Sequence, residues 1–306
     1  MKKYQLSDHC RTLISTQGES VTLYQVCALI DFGAVCKGQL GGWVDGPHCL
    51  SQHGFAWIEE QAEVFGGAQV SGDAQILGHS RLTGLLQVTD SALISDCQMD
   101  GLAHIGGEAQ LFDCRVMAGM GFTADPEQVL TVNGNAHIRR SWLAHQVSVC
   151  DHTYIDFGFL EHRACVSGYA IIQGNDSCNV WLCDNTCVTD HARIISSQDA
   201  DGIPVLRGRA RVADYAVVEG NCVISGDVNL RDYANLHGGP IVLCDHVTVR
   251  GHGRIAGNVR LENAIELRDN ACIETWDDET VLLRGSKTLT GNQRITRASP
   301  FLPFEC

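Results

Sequence analysis

The chain has 306 residues, with 22 Lys and Arg against 36 Asp and Glu, a formal net charge of −14. An acidic balance of this size argues against nucleic acid, whose phosphates require a basic face. No apolar run is long enough to cross a membrane as a helix, and "MKKYQLSDHC" lacks the apolar core of a signal peptide, so a soluble cytoplasmic protein with no membrane partner is expected.

Residues 1–53 follow no fixed period. "VTLYQVCALI" (21–30) reads as short strands and "DFGAVCKGQLGGW" (31–43) as a Gly-rich turn region, together an N-terminal cap. From residue 54 a period of six sets in. Gly54, Glu60, Gly66, Gly72, Gly78, Gly84, Asp90 and Asp96 mark corners. Two residues after the first seven come Ala56, Ala62, Ala68, Ala74, Ser80, Leu86 and Ala92, and two further on come Ile58, Val64, Val70, Ile76, Leu82, Val88 and Ile94. The residues between these slots are mostly polar. In, out, in over three residues is a short strand. Gly and Asp tolerate the backbone angles of a corner. Such a unit cannot bury its own inner face and must stack on a copy of itself, which makes a solenoid. Three sides of six residues close a triangle, so residues about 18 apart should pair as parallel strands about 4.8 Å apart.

Between 97 and 185 the repeat slips but persists, as in Ala103/Ile105, Ala109/Leu111, Ala136/Ile138, Thr153/Ile155, Ala170/Ile172 and Cys178/Val180. It steadies at Thr186/Val188 and Ala192/Ile194 and continues through Ala210/Val212, Ala216/Val218, Cys222/Ile224, Val228/Leu230 and Ala234/Leu236. The step from Ala192 to Ala210 equals three sides and reads as one coil, so the segment 197–208 is expected to keep the register. A one-residue insertion near "HGGP" (237–240) shifts the phase before Val247/Val249. The expected body is residues 54–275, about twelve coils. Residues 276–306 leave the repeat, with "VLLRGSKTLTGNQRITRA" as strand, turn, strand and a tail containing Pro300 and Pro303. In this register Cys187, Val205, Val223 and Val242 stack on one outer face, while the other two outward columns are largely polar. A face meeting water should be polar, so this one is expected to be covered by another subunit of a symmetric oligomer.

The side chain most often used as a general base near neutral pH is histidine. The segment 137–173 gathers His145, His152 and His162 among aromatic residues, and these three are the candidate bases; the plain alternative is histidines on surface corners. Arg284, Lys287, Arg294 and Arg297 put four cations in a short stretch of an acidic chain and could grip the phosphates of a ligand or cofactor; the alternative is a solvated end cap. No metal site is expected: the cysteines, 15 in all, form no paired CxxC set, the histidine spacing is wrong for a three-histidine zinc, and "QDADG" (198–202) lacks the acid that completes a calcium loop. Cys178 and Cys222 fill small core slots, and reduced thiols are expected.

The aliphatic residue followed four later by a small one, as in Ile76 to Ser80, resembles the hexapeptide-repeat family. The leader "LYQVCALIDFGAVCKGQLGGWVDGPHCLSQHGFAWI" (23–58) resembles the opening of the YdcK-like group and of related prophage-encoded repeat proteins. The resemblance implies an all-β fold, a single-stranded left-handed parallel β-helix with an N-terminal cap; handedness rests on the resemblance alone, because the general rule for parallel crossovers favours the right-handed form. It also implies an acyltransferase that moves an acetyl or acyl group from acyl-CoA to a hydroxyl or amine. Acetyl-CoA or another acyl-CoA would be a co-substrate, with no tightly bound cofactor. A trimer with sites between subunits is implied, although a dimer fits the apolar ladder equally well. The alternative is a non-catalytic β-helix used as scaffold or binding surface.

Overall fold

The structure is a computed structural model that describes residues 2–14, 18–119, 129–197, 202–276 and 279–297. The described residues form strands and turns and no helix, so no helix is long and apolar enough to cross a membrane. The chain divides into two compact units, residues 1–151 and 152–306.

The N-terminal unit begins with an antiparallel hairpin, Tyr4–Ile14 against Ser20–Ala28, to which Leu40–Val44 adds a third antiparallel strand. Leu40–Val44 then changes role. Its other edge pairs in parallel with the next coil, Trp43 opposite Glu63 and Val44 opposite Val64. Parallel stacking therefore starts ahead of residue 54, and Leu50 opposite Val70 continues it. From there three ladders run side by side. One passes through Ile58, Ile76, Ile94, Leu111 and Ile138. A second passes through Val64, Leu82, Met99, Val116 and Leu143. The third passes through Val70, Val88, Ile105, Val132 and Val149. The expected inward slots are inside: Ala56, Ala62, Ala68, Ala74 and Ala92 are fully buried. The corners have the expected backbone, with φ of 69° at Gly72, 56° at Asp90 and 54° at Asp96. At Gly72 space is also limiting, since a Cβ would stand 2.8 Å from the backbone N and O of Asp90 one coil on.

The C-terminal unit is a three-sided parallel solenoid as well. Its first side holds Ile155, Ile172, Ile194, Val218, Leu236, Ile255, Ile273 and Ile295 in register. Its second side holds Leu160, Leu182, Leu206, Ile224, Leu243, Leu261 and Leu283. Its third side holds Val166, Val188, Val212, Leu230, Val249, Leu267 and Leu289.

Three expectations are corrected here. Arg193 pairs with Val217 and not with Arg211, so the coil containing 197–208 is longer than three sides. The surplus equals one full side of the repeat, and a six-residue period cannot register such an insertion. Cys187 consequently lies on the third side between Cys165 and Arg211. The outward column of Val205, Val223 and Val242 is headed by Phe159 and Trp181 and continues to Arg260 and Leu282. Finally, residues 281–297 are a further coil: Val281–Leu283, Ser286–Leu289 and Arg294–Arg297 each pair in parallel with the coil before. Residues 198–201 of "QDADG" and the tail from 298, with Pro300 and Pro303, lie outside the described residues.

Ala216 is fully buried, whereas Gln87 points outward and is exposed. Ala216→Leu is expected to overpack its layer and cost about 1–3 kcal/mol, while Gln87→Leu should change stability by no more than about 0.5 kcal/mol. Equal shifts in thermal unfolding would mean that inside and outside are misassigned.

Candidate functional site

Coil length varies in the C-terminal unit, and the extra residues are set at one corner. Along the first side Ile171 pairs with Arg193, Arg193 with Val217, and Cys272 with Arg294. Each of these steps is longer than those from Tyr154 to Ile171 and from Val217 to Asn235. In each long step the chain leaves the first side, makes an excursion and returns on the second side. Two of these excursions are joined. Asn175 Nδ2 donates to Ser196 Oγ at 3.0 Å and to the Ser197 carbonyl at 2.7 Å, while its Oδ1 accepts the backbone N–H of Ser177 and of Cys178 at 3.0 Å. One amide side chain thus shapes its own loop and holds the next one.

Beside this junction lies a cavity of about 310 Å³, lined by Phe159, Trp181, Ile203, Asp176, Ser177 and Asn179. The hollow is open to solvent, and its lining is half apolar (Phe159, Trp181, Ile203) and half polar (Asp176, Ser177, Asn179). Phe159 and Trp181 meet with ring centroids 5.8 Å apart, and Trp181 Nε1 donates to Glu161 Oε1 at 3.0 Å. That bond fixes the indole, which is 40% exposed. Asp176 is the ionisable side chain of the lining. Cys183, on the same side of the unit, is not a ready nucleophile: burial first, and then the charges of Asp184 and Glu161, push its thiol up to about 11.

Of the three candidate histidines, His162 is the best defined. It occupies the corner between the second and third sides with φ of 60°. The backbone N–H of Asp184, one coil on, donates to its Nδ1 at 3.2 Å, and Asp184 Oδ1 lies 3.3 Å from the same atom. The first contact needs a bare Nδ1 and the second a protonated one. The backbone N–H cannot turn away and the carboxylate can, so Nδ1 is assigned as the acceptor. The same part is played further along this corner by Asp184, whose Oδ2 accepts from Gly208, and by Asn263, whose Oδ1 accepts from Gly285. His162 is thus a corner acceptor through Nδ1.

His152 sits at a different corner, between the third and first sides. It is exposed and heads a column of stacked rings that continues through Tyr169, His191, Tyr215, Tyr233 and His252, with neighbouring centroids 4.9 to 5.3 Å apart and planes within 4 to 11° of parallel. His145 belongs to the N-terminal unit, where it closes the strand Trp142–His145 half-buried, with φ of 63°. His152 and His162 therefore stand on separate edges of the C-terminal unit.

The four cations are spread over three sides. Arg284 follows the second-side strand Val281–Leu283, Lys287 is on the third side, and Arg294 and Arg297 are on the first. Each arginine has a carboxylate: Arg284 Nε lies 2.6 Å from Glu262 Oε2, Arg294 Nη2 lies 3.6 Å from Glu274 Oε2, and Arg297 meets Glu279. A phosphate would have to compete with these partners.

The sequence reading does not single out Asp176, Ser177, Asn179 or Ile203. A signal is present all the same: the step from Ala170 to Ala192 is longer than three sides of six, which betrays an insertion between them. Cys187 carries no such mark. Its thiol, hydrogen-bonded to Cys165 and flanked by Arg211, is lowered to about 6 against the cost of partial burial.

No protein-family model matches the chain. The uncharacterized acetyltransferase YdcK of Escherichia coli (strain K12) is 37% identical over 319 aligned positions, which cover 97% of this chain and 98% of the relative. The chain belongs to the YdcK family. The likeness spans both compact units, so the cavity corner and the cap fall within the region shared with this relative.

The corner role of His162 can be separated from a chemical one. His162→Asn keeps an acceptor and a residue that tolerates positive φ, and should leave stability within about 0.5 kcal/mol of the parent. His162→Leu strands the Asp184 N–H and should cost about 1–2 kcal/mol in urea unfolding. Equal stability of the two variants would remove the ring from the ladder.

Proposed function

We propose that the protein transfers an acetyl or other acyl group from acyl-CoA to a hydroxyl or amine acceptor, at the cavity on the second side of its C-terminal unit. The observation that carries this reading is the hollow itself, where apolar Phe159, Trp181 and Ile203 meet polar Asp176, Ser177 and Asn179 at a corner where two loops are clamped together. Its size is at the lower end for a small-molecule site. That suits an acyl group with part of a pantetheine arm, or a compact acceptor. The name borne by the YdcK relative supports the reaction class. Acyl-CoA serves here as co-substrate and not as a resident cofactor.

In this proposal the thioester carbonyl lies over the Phe159 and Trp181 rings, and the acceptor is oriented by Ser177 and Asn179. Asp176 takes the acceptor's proton as the new ester or amide bond forms and the C–S bond breaks. CoA then leaves as the thiolate and is reprotonated by water. The test begins with calorimetry. Acetyl-CoA should bind, and Trp181→Ala should weaken binding at least tenfold. Once an acceptor is in hand, Asp176→Asn should reduce turnover by about 10²–10⁴ with folding intact. No heat of binding at millimolar acetyl-CoA would overturn the enzyme reading and leave the scaffold reading in its place.

We also propose that a second copy of the chain covers the second side. Phe159, Trp181, Val205, Val223 and Val242 stack outward there on successive coils. Arg260 follows Val242 and interrupts the apolar run before Leu282, which is 44% exposed. A closed dimer or trimer through this face would also wall the cavity. Val205→Asp combined with Val223→Asp should yield a folded monomer in sedimentation velocity. An unmodified protein that already sediments as a monomer at micromolar concentration would refute the assembly.

A further inference from the structure

The segment "VDGPHC" (44–49) of the N-terminal unit has no part in the acyl-transfer proposal. It is a tight turn after the strand Leu40–Val44, closed by the Cys49 N–H donating to the Gly46 carbonyl at 3.3 Å. Gly46 gives the histidine ring room, because a Cβ there would stand 2.7 Å from His48 Nδ1. Pro47 stiffens the turn by fixing its own φ. The Tyr4 hydroxyl, reaching over from the hairpin, is within hydrogen-bond distance of the Pro47 and Leu50 carbonyls. The Asp45 carboxylate is held from outside: its Oδ2 accepts the Gly66 N–H at 2.8 Å.

These restraints converge three donor atoms. Asp45 Oδ1 is 3.3 Å from His48 Nε2, Cys49 Sγ is 3.6 Å from His48 Nε2, and Cys49 Sγ is 2.9 Å from Asp45 Oδ1. Tetrahedral zinc, with bonds of about 2.0–2.3 Å to oxygen, nitrogen and sulfur, separates its donors by about 3.3–3.6 Å. Two edges of the triangle already have that length. The third is shorter because the thiol hydrogen lies along it, donated to the carboxylate. We propose that Asp45, His48 and Cys49 bind a zinc-class divalent cation, with three protein ligands and a fourth position open to water.

On binding, the cation takes the place of the thiol proton, which passes to solvent. Thiolate and carboxylate together offset its two positive charges, and the Cys49–Asp45 edge lengthens. Cys49 is fully buried and its thiol hydrogen is held by Asp45 Oδ1, the contact that a cation would replace. The sulfur and imidazole select zinc, cobalt and similar ions over magnesium and calcium. The Gly66 N–H on the far carboxylate oxygen is the outer contact that orients a ligand. The His48 side chain is 49% exposed, which leaves an entry path. Spacing alone does not reveal the site: the ligands sit within five residues, without the paired spacing of known zinc motifs.

Cobalt(II) titration of the full chain tests the site. One equivalent should give a thiolate-to-cobalt charge-transfer band together with strong visible bands of a four-coordinate ion, and added zinc should bleach both. Cys49→Ser should abolish the charge-transfer band. His48→Ala, a change at a half-exposed side chain, should leave the thermal unfolding of the metal-free protein in place and weaken cobalt binding at least tenfold. Absence of the bands at millimolar cobalt would overturn the proposal. So would cobalt binding undiminished in His48→Ala, because the signal would then come from other thiols. Should Cys49→Ser fail to fold, the His48 variant decides alone.

Discussion

A backbone amide on a flat side of either unit finds its carbonyl in the adjacent coil and not in its own. Trp57 N–H bonds to Ala74 O at 3.0 Å, Gln75 to Ala92 at 2.9 Å, and Leu93 to Ala109 at 2.8 Å. The same pattern recurs in the C-terminal unit, where Arg211 bonds to Val228 and Asn229 to Val247. Buried amides left without a partner are costly. Each coil must therefore match the next in position, side by side and corner by corner. Inward slots stack on inward slots, and the tight triangle is filled mainly by Ala, Ser, Thr, Cys and aliphatic residues there, with Met99 and Gly253 as exceptions. A coil that needs more residues has to shed them where no ladder runs, at a corner. In the C-terminal unit that corner is the one carrying the clamped loops and the cavity.

Corners obey the same rule with side chains. Asp232 Oδ2 accepts from Gly251, Asp214 Oδ2 from Asp232, and Asp90 Oδ2 from Gly107. A residue at a corner must tolerate positive φ, and if it is not glycine it is most useful when it can also accept an N–H from the next coil. Asp and Asn do both with one short side chain, and His162 does both with a ring. One residue further along, the pitch sets ring spacing instead. His152 and Tyr169 are brought to 4.9 Å and Tyr215 and Tyr233 to 5.3 Å because their backbones are one coil apart, a separation at which offset stacking is favourable.

What can be read from the sequence follows from this division. Ala74, Ile76, Val212 and Val218 are legible as inward because alternation over three residues survives whatever happens at a corner. The adjacency of Cys187 with Cys165 and Arg211 is not legible, since the first pairing depends on the length of the excursion after Gln173 and the second on that after Ile195, whose surplus equals one side. The cavity is hidden for a related reason: Asp176 and Ile203 meet only because two loops from successive coils are pulled together by Asn175. The Asp45, His48 and Cys49 turn lies ahead of residue 54, where the sequence has no period to set an expectation against. The final coil reads as a hairpin in sequence because its inward residues, Leu283 and Leu289, are separated by "RGSKT" with no small aliphatic pair to mark the period.

The direction of the inter-coil bonds has a mechanical consequence. In the C-terminal unit they lie along the stacking direction, so a pull on the last coil loads only the bonds to its neighbour, and the unit would peel one turn at a time. The coils are unequal: along the first side the step from Tyr154 to Ile171 is the shortest and that from Arg193 to Val217 the longest. At about 3.5 Å of extended chain per residue, the shortest turn releases about 60 Å and the longest about 80 Å. The excursions that furnish the cavity thus also give each turn its own extension length, and a force trace would record the order in which they come undone.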